Sequence, residues 1–296
     1  MALQIERVTK QFGNFTAVDD LSFHVPKGEM FGLLGANGAG KTTTFRMILD
    51  ILKPTEGQIT WDGKAVDHRL VGYLPEERGL YPKAQIREQL VFLASLKGMR
   101  AAEAKRAVKT WLERLEIPQY ETMRVEQLSK GNQQKIQLIA ALLHNPELVI
   151  LDEPFSGLDP VNVEILKREV LALRDTGTTI LFSSHRMEHV EELCQHVGIL
   201  KAGRAVVSGD VPTIKGRYAE PALFIETDQI EKIAALPVVE SITPYQNGHL
   251  VRIHSFADSD AILATLVRHG ANVQTFMRQP VSLNDIFIKE VGEHAS

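Results

Sequence analysis

Gly35-Ala36-Asn37-Gly38-Ala39-Gly40-Lys41-Thr42 is the stretch that decides the fold. It satisfies the spacing of a glycine, four arbitrary residues and Gly-Lys-Thr, the loop that cradles the phosphates of a nucleoside triphosphate. The apolar run Met30-Phe31-Gly32-Leu33-Leu34 before it predicts a buried strand. Thr43-Thr44-Phe45-Arg46-Met47-Ile48-Leu49 after it predicts a helix. Strand, loop and helix are the context this motif requires. The glycines let backbone N–H groups turn inward onto phosphate oxygens at the positive end of a helix. On this reading ATP is held by Gly35, Asn37, Gly38, Ala39, Gly40, Lys41, Thr42 and Thr43. Lys41 reaches the β- and γ-phosphates, and the Thr42 hydroxyl holds Mg²⁺. A Gly-rich turn matching by chance would lack these flanking elements.

Leu148-Val149-Ile150-Leu151-Asp152-Glu153-Pro154 is an aliphatic strand ending in two carboxylates. Such a run suits a strand buried on both faces of a parallel sheet, with the carboxylates at the edge where open α/β sheets bind ligands. Asp152 fits a Mg²⁺ ligand, and Glu153 beside it fits the group that orients or deprotonates an attacking water. Taken alone, the stretch also reads as a strand running into an acidic turn; the upstream loop argues against that.

Leu128-Ser129-Lys130-Gly131-Asn132-Gln133-Gln134-Lys135 lies about twenty residues upstream of this strand. It resembles the LSGGQ signature of ABC ATPases. Ser156-Gly157-Leu158-Asp159 resembles that family's D-loop, and Ser183-Ser184-His185, after the apolar Thr179-Ile180-Leu181-Phe182, resembles its switch histidine. The order of parts is also the family's, and the resemblance covers roughly residues 1–210. It implies a P-loop ABC ATPase core: an α/β fold with a RecA-like sheet, an antiparallel β subdomain and a helical subdomain. The catalytic set it implies is Glu153, His185 and Lys41. Ser129, Lys130, Gly131 and Asn132 would meet the ATP of a partner subunit, in a head-to-tail dimer sandwiching two ATP molecules. Asp159 would link the two sites; by itself it is a good N-cap for the helix that follows. Val8-Thr9-Lys10-Gln11-Phe12-Gly13 resembles the A-loop, which makes Phe12 the adenine-stacking residue.

Two departures stand out. Where the family's Q-loop carries glutamine, Val71-Gly72-Tyr73-Leu74-Pro75-Glu76-Glu77 has Glu76, a carboxylate able to contact Mg²⁺. The signature has Lys130 for Gly and Asn132 for Gln, while Ser129 and Gly131 keep the phosphate-facing elements.

Around these motifs, Leu3–Val8, Leu21–Val25 and 58–61 predict the strands of the β subdomain. Residues 85–143 turn helical, with Leu90, Leu93, Ala94, Leu96, Val108, Trp111 and Leu112 at helical spacing. Lys97, Arg100, Lys105, Arg106 and Lys109 read as a solvated helix face. We expect domains at 1–210 (helical subdomain 85–143) and 222–296, with a linker at 211–221. The second domain predicts as βαββαβα, a ferredoxin-like α+β layout. It has helices over 229–236, 258–269 and 282–290, a hairpin at Gln246-Asn247-Gly248, and a core including Ile225, Ile233, Leu236, Ile253, Leu263, Leu266 and Phe287. Its ending, from Gln279 to Phe287, resembles the C-terminal extension of ABC-2-type exporter ATPases, and Leu74–Tyr81 resembles the ATPases of sodium- and drug-extrusion systems.

Composition agrees with a globular protein. The chain has 296 residues, 44% hydrophobic and 24% charged, with a net charge of -4 that points to no nucleic-acid partner. The single cysteine, Cys194, excludes an intrachain disulfide, and the N-terminal residues show no secretory signal. No apolar run nears the roughly 18 residues that span a bilayer. The expectation is therefore an exporter ATPase on the cytoplasmic face of the membrane, joined to a separate permease subunit. The alternative is a soluble ABC ATPase acting on a ribosome or DNA complex. Against it stand a single P-loop and the absence of a long heptad array. A regulator that binds ATP without turnover is disfavoured by Glu153 and His185.

Overall fold

The computed structural model describes residues 3–77 and 79–292. It divides into two compact units, one running to Val211 and resuming at Phe287, the other Pro212–Ile286. In chain order the first unit holds β1 (Leu3–Phe12), β2 (Phe15–Val25), β3 (Met30–Gly35), α1 (Lys41–Ile48), β4 (Glu56–Trp61), β5 (Val71–Leu74), α2 (Ile86–Leu96), α3 (Ala101–Arg114) and α4 (Lys130–Leu142). It continues with β6 (Leu148–Asp152), α5 (Pro160–Asp175), β7 (Thr179–Ser183), α6 (Met187–Leu193), β8 (His196–Lys201) and β9 (Arg204–Asp210).

The six-stranded sheet has the order β5-β6-β7-β3-β8-β9. All pairs are parallel except β8–β9 at the edge. Every residue of β6 and β7 is buried, as their unbroken aliphatic runs require. The register pairs Leu74 with Leu151 and Asp152 with Ser183, so the strands deliver their last residues to one edge. A second, antiparallel sheet has the order β2-β1-β4. One apolar cluster joins the two sheets and α1, with Phe45 fully buried and Phe23 stacked on Phe31 at 4.8 Å.

Helices α2, α3 and α4 form the helical subdomain, burying Leu90, Ala94, Val108, Trp111 and Leu112. Leu96 falls outside that face and is exposed. Lys97 departs from the solvated row expected of the basic residues. Its ammonium donates to the carbonyls of His68 at 2.6 Å and Val71 at 3.0 Å, because α2 ends beside that turn. Helix α4 is buried nearly all round.

Residues 211–218, expected within a linker, form helix α7 (Val211–Tyr218), with Pro212 tolerated in the first turn. The second unit holds β10 (Ala222–Thr227), β11 (Val239–Tyr245), β12 (Gly248–Ile253), α8 (Ser259–Arg268) and β13 (Val273–Arg278); α9 (Leu283–Val291) follows. Its antiparallel sheet, β11-β12-β10-β13, has the ferredoxin-like order. The helix expected over 229–236 is reduced to a single 3₁₀ turn, Ile230–Lys232. Asp228, the natural N-cap, instead accepts from the backbone N–H of Asn272 at 2.9 Å, and Pro237 stops any extension. The hairpin loop is Gln246-Asn247, since Tyr245 pairs with Gly248. Ile225, Ile233, Ile253, Ile262 and Leu266 make the core, while Leu236 packs on it half-buried. Ile262 and Ile286 take the buried positions expected for Leu263 and Phe287, which are half-buried.

Phe45→Ala should destabilise the first unit by about 3–5 kcal/mol, through lost burial and the cavity left behind. Urea unfolding followed by the fluorescence of Trp61, in the same cluster, measures it.

Candidate active site at the carboxyl edge of the parallel sheet

The Gly-rich loop leaves β3 and enters α1 through Gly40, whose φ is +104°. A Cβ there would sit 2.8 Å from the carbonyl oxygen of Ala17, so both backbone hand and space demand glycine. At Gly38, φ is +79° and a Cβ would meet nothing within 4 Å, so that face of the loop is open. The Lys41 ammonium lies along the loop and donates to the carbonyls of Gly35 at 2.6 Å and Ala36 at 3.2 Å.

The end of β6 closes on this loop. The Thr42 hydroxyl donates to Asp152 Oδ2 at 3.4 Å, and Ser183, at the end of β7, donates to Asp152 Oδ1 at 2.6 Å. Ser183 Oγ also accepts from the backbone N–H of Glu153 at 3.1 Å. Glu153 sits in the left-handed region at φ +51°, a strained conformation that its surroundings must enforce. His185 Nδ1 lies 2.8 Å from Glu153 Oε2, with the imidazole exposed and the carboxylate buried. Thr42, Asp152, Glu153 and His185 line a cavity of about 660 Å³ together with Lys41, Thr43, Phe15 and Glu76, with Ser183 buried behind them.

Desolvation sets the electrostatics. Burial pushes the Asp152 carboxyl above its usual range and Glu76 adds to this, while the bonds from Ser183 and Thr42 and the charge of Lys41 pull it back. Burial likewise raises Glu153, opposed by His185 and Lys41. Burial lowers Lys41, opposed by Glu153, Asp152 and Glu76. Three acids thus surround one ammonium in a site built to receive the charges of a substrate.

Among the described residues no group of three or more His, Cys, Asp or Glu could hold a metal. What converges is one hydroxyl and one carboxylate, hard oxygen donors that suit Mg²⁺ completed by water and phosphate oxygens.

The structure therefore gathers Asn37 to Thr43, Asp152, Glu153, His185 and Glu76 around one space, with the carbonyl of Gly35 behind Lys41. It keeps others apart. Ser129 caps α4, accepting from the Asn132 N–H at 3.3 Å; Asn132 donates its amide to the Tyr120 hydroxyl at 3.2 Å; and Lys130 is exposed. A Cβ at Gly131 would lie 3.1 Å from the Asn162 amide. Asp159 caps α5, accepting from Asn162 N–H at 3.0 Å. None of these lines the cavity. Phe12 is not on its wall either: the Lys10 ammonium lies 5.2 Å from the Phe12 ring centroid, and the wall residue is Phe15. Sequence reasoning missed Phe15. The signal was the Gly13-Asn14 pair between two aromatics, which makes Phe12 and Phe15 partners across a hairpin. Cys194 caps the end of α6, buried, with burial raising its thiol far above the usual range.

A family pattern described as "ABC transporter" matches residues 18–156, and one described as "ATP-binding protein DrrA1-3-like, C-terminal domain" matches residues 209–291. The ABC transporter ATP-binding protein YhaQ of Bacillus subtilis is 52% identical over 296 residues, covering 98% of each chain. The chain belongs to the ABC transporter ATP-binding proteins. The bacitracin transport ATP-binding protein BcrA of Bacillus licheniformis is 35% identical, over 96% of this chain and 95% of that one. A solved ATP-binding subunit of an ABC transporter aligns with TM-score 0.69 and 30% identity, over 74% of this chain and 93% of that one. As an ABC ATPase subunit, this protein binds and hydrolyses ATP and energises transport through a separate permease. None of the described helices is long and apolar enough to cross a membrane.

Because burial raises the Glu153 carboxyl, its ionised form weakens the fold above the pKa of the unfolded chain, and this penalty fades as pH falls through the folded value. Glu153→Gln should therefore raise the melting temperature of the nucleotide-free protein at pH 8, by a margin that shrinks towards pH 5. Calorimetry across that range measures it.

Proposed function

We propose that the chain is the ATPase of an exporter, acting on the cytoplasmic face of the membrane through its permease. The observation that carries the hydrolytic assignment is the Glu153–His185 contact at 2.8 Å, opening on the same cavity as the P-loop lysine. Glu153 takes the proton of the attacking water as ATP and water give ADP and phosphate. His185 holds that carboxylate and hydrogen-bonds the γ-phosphate. Lys41 leaves the carbonyls of Gly35 and Ala36 for the β- and γ-phosphates. Thr42 and Asp152, with Glu76 on the same wall, would hold Mg²⁺, which would supply charge neutralisation to those phosphates. Phe12 and Phe15 flank the hairpin at the adenine end, Phe15 from the cavity wall.

Ser129, Lys130, Gly131 and Asn132 act on the ATP of a second ATPase, a copy of this chain or a homologue, and Asp159 links the two sites. Their position outside the cavity of their own chain supports a trans role. The domain limits we propose are 1–210, with the helical subdomain at 85–143, and an accessory domain at 222–296, the linker at 211–221 being helical over Val211–Tyr218. The DrrA-like C-terminal match and the kinship with a bacitracin transport subunit support export. Nucleic acid has no part in this reading.

Glu153→Gln should lower turnover by about a hundred-fold or more while preserving ATP-dependent dimers in size-exclusion chromatography. Near-normal hydrolysis would remove Glu153 from its role. The same variant, tagged and recovered from its native cells in mild detergent with ATP, should bring down a polytopic membrane protein. Ribosomal or DNA-associated proteins in its place would sink the exporter reading. Lys41→Ala should weaken ATP binding; unchanged affinity in a nucleotide titration would count against the P-loop role.

A further inference from the structure

Helix α4 does more than present its capping serine. Among its buried residues are Gln134, Lys135 and Gln137, polar side chains inside a helix with almost no solvent face. Buried polar groups persist where they are hydrogen-bonded, and here every partner is a backbone carbonyl outside the helix. Lys135 Nζ donates to Leu115 O at 3.1 Å, just past the end of α3. Gln134 Nε2 donates to Pro154 O at 3.0 Å. Gln137 Nε2 donates to Glu77 O at 3.1 Å and Pro75 O at 3.4 Å.

Three of these partners flank cavity carboxylates. Pro154 follows Glu153, while Pro75 and Glu77 stand on either side of Glu76. Gln134 and Gln137 are three residues apart and so share one face of the helix. A single face therefore grips both loops that carry an acid to the cavity. These carbonyls lie outside the strands, so their partners must come from side chains or water. The strained Glu153 is anchored on both sides, its N–H by Ser183 and the next carbonyl by Gln134. The other loop is held at its far end as well, where Gln89 of α2 accepts from Tyr81 N–H at 2.6 Å. Gln137 Oε1 is buried without a partner among the described residues, so the donor end alone orients that amide.

We propose that Gln134 and Gln137 are positioning residues that make α4 a bar, so that a shift at its Ser129 end moves Glu153 and Glu76 together. The two glutamines lie about 8 Å and about 12 Å along the axis from Ser129, short enough for a helix to move as one body. A triphosphate met at the Ser129 end thereby sets the geometry of the cavity in this chain. The functional half of the inference rests on the roles assigned above to Glu153, Glu76 and Ser129; the clamp itself rests on the three distances from Gln134 and Gln137.

Gln134→Met and Gln137→Met keep the side-chain volume and remove the donor. In hydrogen exchange of the nucleotide-free full chain, Gln134→Met should speed exchange across 153–158 and spare 75–82, and Gln137→Met the reverse. In steady-state ATPase assays Gln134→Met should lower kcat about ten-fold with the KM for ATP held within about two-fold. Gln137→Met should raise the Mg²⁺ needed for half-maximal rate about three-fold, an increment that disappears in a Glu76→Gln background. Should a methionine variant not fold, the asparagine variants, which shorten the reach by one methylene, carry the same measurements. Equal loosening of both loops in each variant, or additive effects with Glu76→Gln, overturns the proposal. Wild-type kcat in Gln134→Met beside an inactive Glu153→Gln also overturns it and leaves the hydrolytic reading standing. An active Glu153→Gln overturns that reading, and the exchange pattern still decides the clamp.

Discussion

The structure turns on a desolvated charge cluster at the end of a buried sheet. Lys41, Asp152 and Glu153 are held where burial disfavours each ionised form, offset by Ser183, Lys41 and Thr42 at Asp152, by His185 and Lys41 at Glu153, and by the carboxylates at Lys41. An arrangement of this kind is a poor device for stability. It is a good one for a substrate that brings its own charge, because preorganised groups need little reorganisation when a triphosphate arrives. The remaining architecture keeps these groups in place: fully buried strands to fix the Cα positions, a glycine loop to aim the N–H groups, and Ser183 to bridge Asp152 and Glu153.

The parallel sheet supplies this alignment through register. Asp152 opposes Ser183 across β6 and β7, and the P-loop leaves β3 on the other side of β7. Loop residues that need one conformation, such as Gly40 and Glu153, can then be held against strain by rigid neighbours. Helix α4 extends the same logic to the helical subdomain, with polar side chains reaching out of a buried helix to irregular backbone. Its sequence looks like an ordinary apolar helix interrupted by glutamines, and only the partners explain the glutamines.

The accessory unit follows simpler rules. Alternating strands and one amphipathic helix make a small antiparallel sheet with a one-sided core. Two of its elements depart from expectation: α7 forms within the expected linker, and the 3₁₀ turn at Ile230–Lys232 replaces a helix because Asp228 spends its side chain on a neighbouring loop. Local propensity there was weak enough for one tertiary hydrogen bond to decide the outcome.

Much was determined by the sequence alone. The P-loop spacing, the aliphatic strands ending in Asp152-Glu153 and Ser183-Ser184-His185, and the signature before a helix are local patterns whose chemistry depends on residue type and order. Period and turn chemistry likewise marked most strands and helices, the 229–236 segment and α7 excepted. Tertiary structure decided what depends on distance between segments remote in the chain. It chose Phe15 for the cavity wall, turned Glu76 onto it, left Ser129 and Asp159 outside, tied Lys97 to the carbonyls of His68 and Val71, and gave the α4 glutamines their partners. The physical reason is common to all of these. A side chain's hydrogen bonds and desolvation are set by the groups that folding brings within a few ångströms, and a linear pattern carries no record of them.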